Sequence, residues 1–219
     1  MKNARSLLIG CVALLISLAG CNSSAPSPSA ESKPAAAAPA FQPTFLTGRE
    51  ALQQMYIAAR AWAPDVKPYS LQSIPTKEDS GQDGKSGIWG AGFGSASKGK
   101  LKVFSWSGLK NDNAPEPGVS SRPEDTYNPS NTSTTVFDMA FLKIDSGGPE
   151  KVTALNVAEQ HGGDKLLKTD KDATVSYKLN WNARENKLVW RVSIGANPNQ
   201  PKLSVDVDAS TGSFIKVEK

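Results

Sequence analysis

The sequence is poor in the residues that most enzyme chemistry requires. Cysteine occurs only as Cys11 and Cys21, so no thiol after position 21 is available for a disulfide, a thiolate nucleophile or a zinc cage. Folding must come from a hydrophobic core. Histidine occurs once, as His161. Any Ser-His-Asp or metal-dependent mechanism would have to be built around that residue. An excess of one charge is also missing. The chain has 25 Lys and Arg against 21 Asp and Glu, and without Lys2 and Arg5 the basic count falls to 23. Such a balance gives no electrostatic case for a nucleic-acid partner. The longest apolar run, Leu7 to Ala19, is shorter than the roughly 20 residues of a membrane span.

What is present at the start has a different layout. Lys2 and Arg5 precede the apolar run, as in a bacterial secretion signal. The run closes on Leu18-Ala19-Gly20-Cys21, which resembles the lipobox of bacterial lipoproteins. That resemblance implies a signal peptide at 1–20 and a chain that begins at an acylated Cys21, held in the bilayer by several acyl chains together. Asn22, rather than Asp, follows the cysteine and resembles outer-membrane sorting in Gram-negative bacteria. Residues 21–43 are rich in Ser, Pro and Ala, with almost no large apolar side chain before Phe41. They cannot bury enough surface to offset their ordering entropy, and read as a flexible tether.

Beyond the tether, hydrophobic periodicity takes over. Thr47-Gly48-Arg49-Glu50 is a capping box, followed at helical spacing by Leu52, Met55, Tyr56, Ala59 and Trp62, and Pro64 stops the run. A second helix is expected to open at Ser146-Gly147-Gly148-Pro149, to share a stripe of Val152, Leu155 and Ala158, and to close at His161-Gly162-Gly163. Similar segments follow each helix at an offset of about one hundred residues: PYSLQSI and VSYKLNW, GIWGAGF and LVWRVSI, KLKVFSWSG and KLSVDVDAS. In the later set Val175, Tyr177, Leu179 and Trp181 alternate with polar residues, as do Leu188, Trp190, Val192 and Ile194, then Leu203, Val205 and Val207. The expected fold class is α+β: two tandem units, each with one helix on one face of an antiparallel sheet of three to four strands. The first unit is expected at 44–108, a polar loop at 109–134, and a connecting strand plus the second unit at 135–219. Residues 134–145, TTVFDMAFLKID, read as that strand or as an extended connector between the units.

A helix and a meander with Trp190-Arg191-Val192 in the middle strand, ending in Val207-Asp208-Ala209-Ser210-Thr211-Gly212, resemble the PepSY family of secreted and envelope-bound bacterial domains. The likeness is best from about Asp145 onward. The first unit departs from it, with Ser107-Gly108 in place of Thr-Gly and glycines at 90, 92 and 94. The resemblance implies a small non-enzymatic domain, found also in propeptides that restrain secreted metallopeptidases, with no catalytic residue to carry over.

The candidate sites are few. Asp206, Asp208, Ser210 and Thr211 offer hard oxygen atoms to a cation such as calcium, but calcium loops use more carboxylates and a later bidentate glutamate. A simpler reading makes Asp208, Thr211 and Gly212 a structural hairpin turn. Arg191 and Asp206 are expected to meet across adjacent strands. With Lys178, Asn180 and Ser193 they form a polar sheet face that could receive a partner. Gly90, Gly92 and Gly94 lack phosphate-loop spacing and read as a place of close approach to the sheet. Lys98, Lys100 and Lys102, with Phe104 and Trp106, read as a solvated strand face.

The expectation from the sequence is an envelope lipoprotein that is not an enzyme and needs no cofactor or metal. It acts as a protein-binding module, with a peptidase as the partner class that the resemblance implies. The alternative is a structural lipoprotein of envelope assembly with no peptidase target.

Overall fold

Thr47 begins the first helix because its side chain accepts the Glu50 amide while the Glu50 carboxylate accepts the Thr47 amide at 2.9 Å. In the computed structural model, which describes residues 40–76, 78–110, 112 and 114–218, this helix is α1, Gly48–Trp62. The leader, Cys21 and the tether up to residue 39 lie outside the described residues. Ala51, Leu52, Met55 and Ala59 form the buried stripe of α1. The Ala63 amide bonds back to Ala59, and Pro64, which has no amide hydrogen, ends the helix.

The strands are β1 (Leu46–Thr47), β2 (Lys67–Ser73), β3 (Lys85–Ser86), β4 (Ile88–Ser95), β5 (Lys100–Ser107), β6 (Gly118–Ser121), β7 (Asp125–Thr126), β8 (Thr174–Asn182), β9 (Lys187–Gly195), β10 (Leu203–Asp208) and β11 (Phe214–Glu218). β1 pairs with β3. The others form one antiparallel sheet in the order β11-β10-β9-β8-β2-β4-β5-β6, with β7 on β5. The fold is therefore α+β, with few helices and a mostly antiparallel sheet. The two sets of strands are continuous, since β2 pairs with β8 through Ser70 with Asn180, Leu71 with Leu179 and Gln72 with Lys178. One core runs beneath both sets, from Leu52, Trp89 and Phe93 to Tyr177, Trp190 and Val207.

Three elements differ from the sequence expectation. The second helix does not start at Ser146. Thr153 caps the Asn156 amide at 3.2 Å to begin α2, Ala154–Ala158. His161-Gly162-Gly163 does not end it either, because a π-helical turn, Glu159–Gly163, leads on into α3, Asp164–Thr169. Gly162 takes a φ of 112° within that turn. Val152 accordingly precedes the helix and is exposed rather than part of its stripe.

Asp145 and Ser146 serve α1 instead. Asp145 accepts the Thr47 hydroxyl at 2.7 Å and the Arg49 amide at 2.9 Å. Ser146 Oγ accepts the Gly48 amide at 2.8 Å and donates to the Gly84 carbonyl at 2.6 Å. The amides of Gly48, Arg49 and Glu50, which a helix start leaves without partners, are all satisfied, two of them from nearly one hundred residues away.

The connector is not a strand. Residues 134–145 contain a 3-10 turn, Met139–Phe141, capped by Asp138 on the Ala140 amide. Phe137 and Leu142 are buried, while Phe141 is exposed and sits edge-on to Trp181. Its backbone finds partners one at a time, Phe137 N–H on Pro68 and Ile144 N–H on Ala209, so no ladder forms. The 109–134 segment, expected as a polar loop, contributes β6 and β7 to the edge of the sheet.

Candidate functional site

The helices cover one face of the sheet. On the other face, over the seam between β8 and β2, lies a groove of about 470 Å³. Strand register builds its floor. One row across the sheet runs Lys178, Gln72, Gly90, Ser105 and Ser120, and the next runs Asn180, Ser70, Gly92 and Val103. The Arg122 amide donates to the Val103 carbonyl at 2.9 Å, which places Arg122 at the far end of the second row.

The alternate glycines shape this floor. A side chain on Gly92 would collide with the Tyr69 ring, which lies directly over it, and one on Gly94 would press on Val136. At Gly90 nothing stands within 4 Å of where a Cβ would be, so this stretch of floor is open. A bulge in β2 between Pro68 and Ser70 lies beside Tyr69. Thr132 and Ser133 line the groove from the segment that crosses the face, and Ile74, exposed, lines it as well.

The lining offers hydroxyls, amides and the two cations Arg122 and Lys178, and it contains no carboxylate, imidazole or thiol. That donor set can hold a polar or negatively charged ligand, and of the side chains that commonly move protons it contains Tyr69 and Lys178. Burial raises the Tyr69 phenol above its ordinary pKa, and the Asp125 carboxylate adds to the rise. Tyr69 is therefore a neutral hydrogen-bonding group at physiological pH.

The expected polar face divides in two. Lys178 and Asn180 line the groove. Arg191, Ser193 and Asp206 lie further along the same sheet and bond among themselves and their neighbours. Arg191 Nε and Nη2 donate to the two oxygens of Asp206 at 2.8 and 2.9 Å, and Nη2 also reaches Glu218 at 2.7 Å. Lys216 closes the network on Glu218 at 2.9 Å. Asp206, expected on an accessible face, is only 1% exposed, so its carboxylate belongs to Arg191 rather than to a partner. The hydrogen bond that Arg191 donates to Asp206 raises the Arg191 pKa further. Ser193 and Ser204 hydroxyls lie 2.9 Å apart.

Asp208, Thr211 and Gly212 form the β10–β11 turn. The Asp208 carboxylate accepts the amides of Ser210 at 2.9 Å and Thr211 at 3.2 Å, and lies 3.1 Å from Lys187. Burial opposes its ionisation, but the Ser210 amide and Lys187 outweigh that and hold the pKa below the ordinary value. The oxygens that the sequence offers to a cation thus already have protein partners. Gly212 has a φ of 75°, and its Cβ would stand 2.5 Å from Val152. Gly212→Val is expected to destabilise the chain by about 2–3 kcal/mol through left-handed strain and this clash. Asp208→Asn, which keeps an oxygen for the two amides, should lose less than about 1 kcal/mol. Urea titrations compare the two, and equal losses would contradict this account of the turn.

His161 is exposed and stacks on Phe214, with ring centroids 3.7 Å apart. The basic and aromatic strip is split, contrary to the expected solvated face: Phe104 and Trp106 are buried, while Lys98 and Lys102 lie over the Trp62 ring. The sequence reading missed Tyr69, Ser70, Gln72, Ser105 and Arg122 as groove residues. The alternate glycines were the available signal, since they marked where the floor lies.

No helix among the described residues is long and apolar enough to cross a membrane. No protein-family model matches the sequence, and no curated protein matches it significantly. Among solved structures, the fold is similar to that of a "putative lipoprotein" from Clostridium difficile 630, with a TM-score of 0.48 and 11% identity, over 77% of this chain and 91% of that one.

Proposed function

We propose that this chain is a lipoprotein of the bacterial cell envelope that acts as a non-catalytic binding module and receives a segment of a partner protein in the groove over the β8–β2 seam. The observation that carries the reading is the groove itself: a large polar hollow on the face opposite α1 and α2, lined by hydrogen-bonding and cationic groups without a carboxylate or imidazole. A peptidase is the partner class favoured by the PepSY-like VDASTG turn at Val207–Gly212. The chain is built in this reading from two copies of one unit. Matching side-chain bonds support that, with Trp89 Nε1 donating to the Leu46 carbonyl and Trp190 Nε1 to the Ile144 carbonyl, each just before a capping residue of α1.

The test is co-purification from membranes. The native chain is expected to bring down a defined partner, and Gly90→Trp, which fills the open floor without meeting any neighbour of its Cβ, is expected to lose it. Recovery of the same partner with Gly90→Trp overturns the groove as the site. Membrane attachment has its own test. Cys21→Ser should move nearly all of the protein from the membrane to the soluble fraction, because the acyl chains would then have no acceptor. Retention on membranes would contradict lipidation.

A further inference from the structure

We infer that the segment held in the groove is acidic and extended, and that it lies across the strands between Lys178 and Arg122. This rests on the proposed binding role and names the chemistry of its ligand. Lys178 and Arg122 are the charged residues of the lining, both exposed, and neither has an ion-pair partner among the described residues. Other cations of the same sheet face are used internally, Arg191 by Asp206 and Glu218, Lys216 by Glu218 and Lys187 by Asp208. The groove lining therefore carries two positive charges without an ion-pair partner, with the Asp125 carboxylate near Tyr69 outside the lining, and the complementary ligand carries carboxylates.

Geometry gives the length and path. Lys178 is on β8, and the chain at Arg122 runs beyond β5, so three strands, β2, β4 and β5, lie between them. At about 4.8 Å per strand step the backbones that carry the two cations stand roughly 19 Å apart across the strands, in adjacent rows. An extended peptide rises about 3.3 Å per residue, so about six residues span the distance. The path crosses Gly90, where the floor is open, and not Gly92, which Tyr69 covers. Gln72 and Ser105 flank Gly90 in the same row and can bond the ligand's backbone amides and carbonyls. The lining has a single aromatic ring, Tyr69, which lies over Gly92 to one side of this path. Ile74 is its one exposed large aliphatic side chain, too little for an acyl chain. A row of hydrogen-bonding groups between two cations favours an acidic protein segment.

The experiment uses the full-length chain in non-ionic detergent and fluorescence anisotropy of the labelled hexapeptide Glu-Ser-Glu-Ser-Glu-Ser, with Ser and Lys-Ser hexapeptides as comparisons. The acidic peptide alone is expected to bind. Arg122→Gln and Lys178→Gln should each weaken it about tenfold, added salt should weaken it further, and Gly90→Trp should abolish it with the melting temperature unchanged. Equal binding of the uncharged peptide, or unaltered affinity in both glutamine variants, overturns the inference. So does binding of anionic vesicles or an anionic polysaccharide at this groove when the acidic peptide does not bind. Should the co-purifying partner be lost with Gly90→Trp yet kept by both glutamine variants, the binding role stands and the acidic ligand does not.

Discussion

Gly84→Ala is expected to lower the stability of the chain by on the order of 4 kcal/mol. Gly84 has a φ of +78°, which disfavours any side chain, and a Cβ there would lie 2.2 Å from the Gly147 Cα and 2.7 Å from its nitrogen. Both obstacles are backbone, which cannot swing aside. Displacing residues 146 and 147 would also pull Ser146 from the Gly84 carbonyl and the Gly48 amide, and loosen Asp145 at the start of α1. Two further variants separate the causes. Gly147→Ala, whose Cβ would meet Gly84 Cα at 2.3 Å without a positive φ, should be nearly as damaging. Gly99→Ala, with a φ of +63° and open space around it, should show the backbone strain alone, about 1–2 kcal/mol. Urea denaturation of the three variants decides the matter. If Gly84→Ala and Gly99→Ala lose the same amount, the contact between 84 and 147 does not hold these parts together.

Trp190→Ala should be comparably severe, at about 3–5 kcal/mol. The ring is fully buried, its Nε1 donates to Ile144 at 2.9 Å, and its far edge stands where a Cβ on Gly48 would be, only 2.5 Å away. Removing it leaves a cavity between β9 and the start of α1 as well as an unpaired Ile144 carbonyl. Trp89, also fully buried, touches both regions in turn through Tyr177 and through its bond to Leu46. Since one core joins the two sets of strands, Trp190→Ala and Trp89→Ala should each shift a single unfolding transition. Two separated transitions, followed by circular dichroism and tryptophan fluorescence, would mean that the sets fold independently.

Local chemistry was legible where neighbours in sequence are neighbours in space. The Thr47–Glu50 capping box, the buried stripe of α1 and the alternation along β8, β9 and β10 all follow from short-range spacing. The turn at Gly212 was legible for the same reason, because Asp208 bonds amides only two and three residues ahead. Ser146-Gly147-Gly148-Pro149 was misread because those residues look like a helix start, and Ser146 does cap a helix, but it is α1. Asp206 looked like a surface carboxylate because alternation puts it opposite the core, while Arg191 and β11 enclose it.

By itself the sequence determined the α+β class, the positions of the main strands and the scarcity of catalytic groups, because hydrophobic period and residue inventory act locally. Only the tertiary structure decided that β2 joins β8, that α1 is capped from Asp145 and Ser146, and that Lys178 and Arg122 face one groove. Those pairings bring together residues about 55 to 110 positions apart. Their free energy comes from satisfying polar groups and filling space after collapse, and no periodicity in the chain encodes which distant strand will offer that fit.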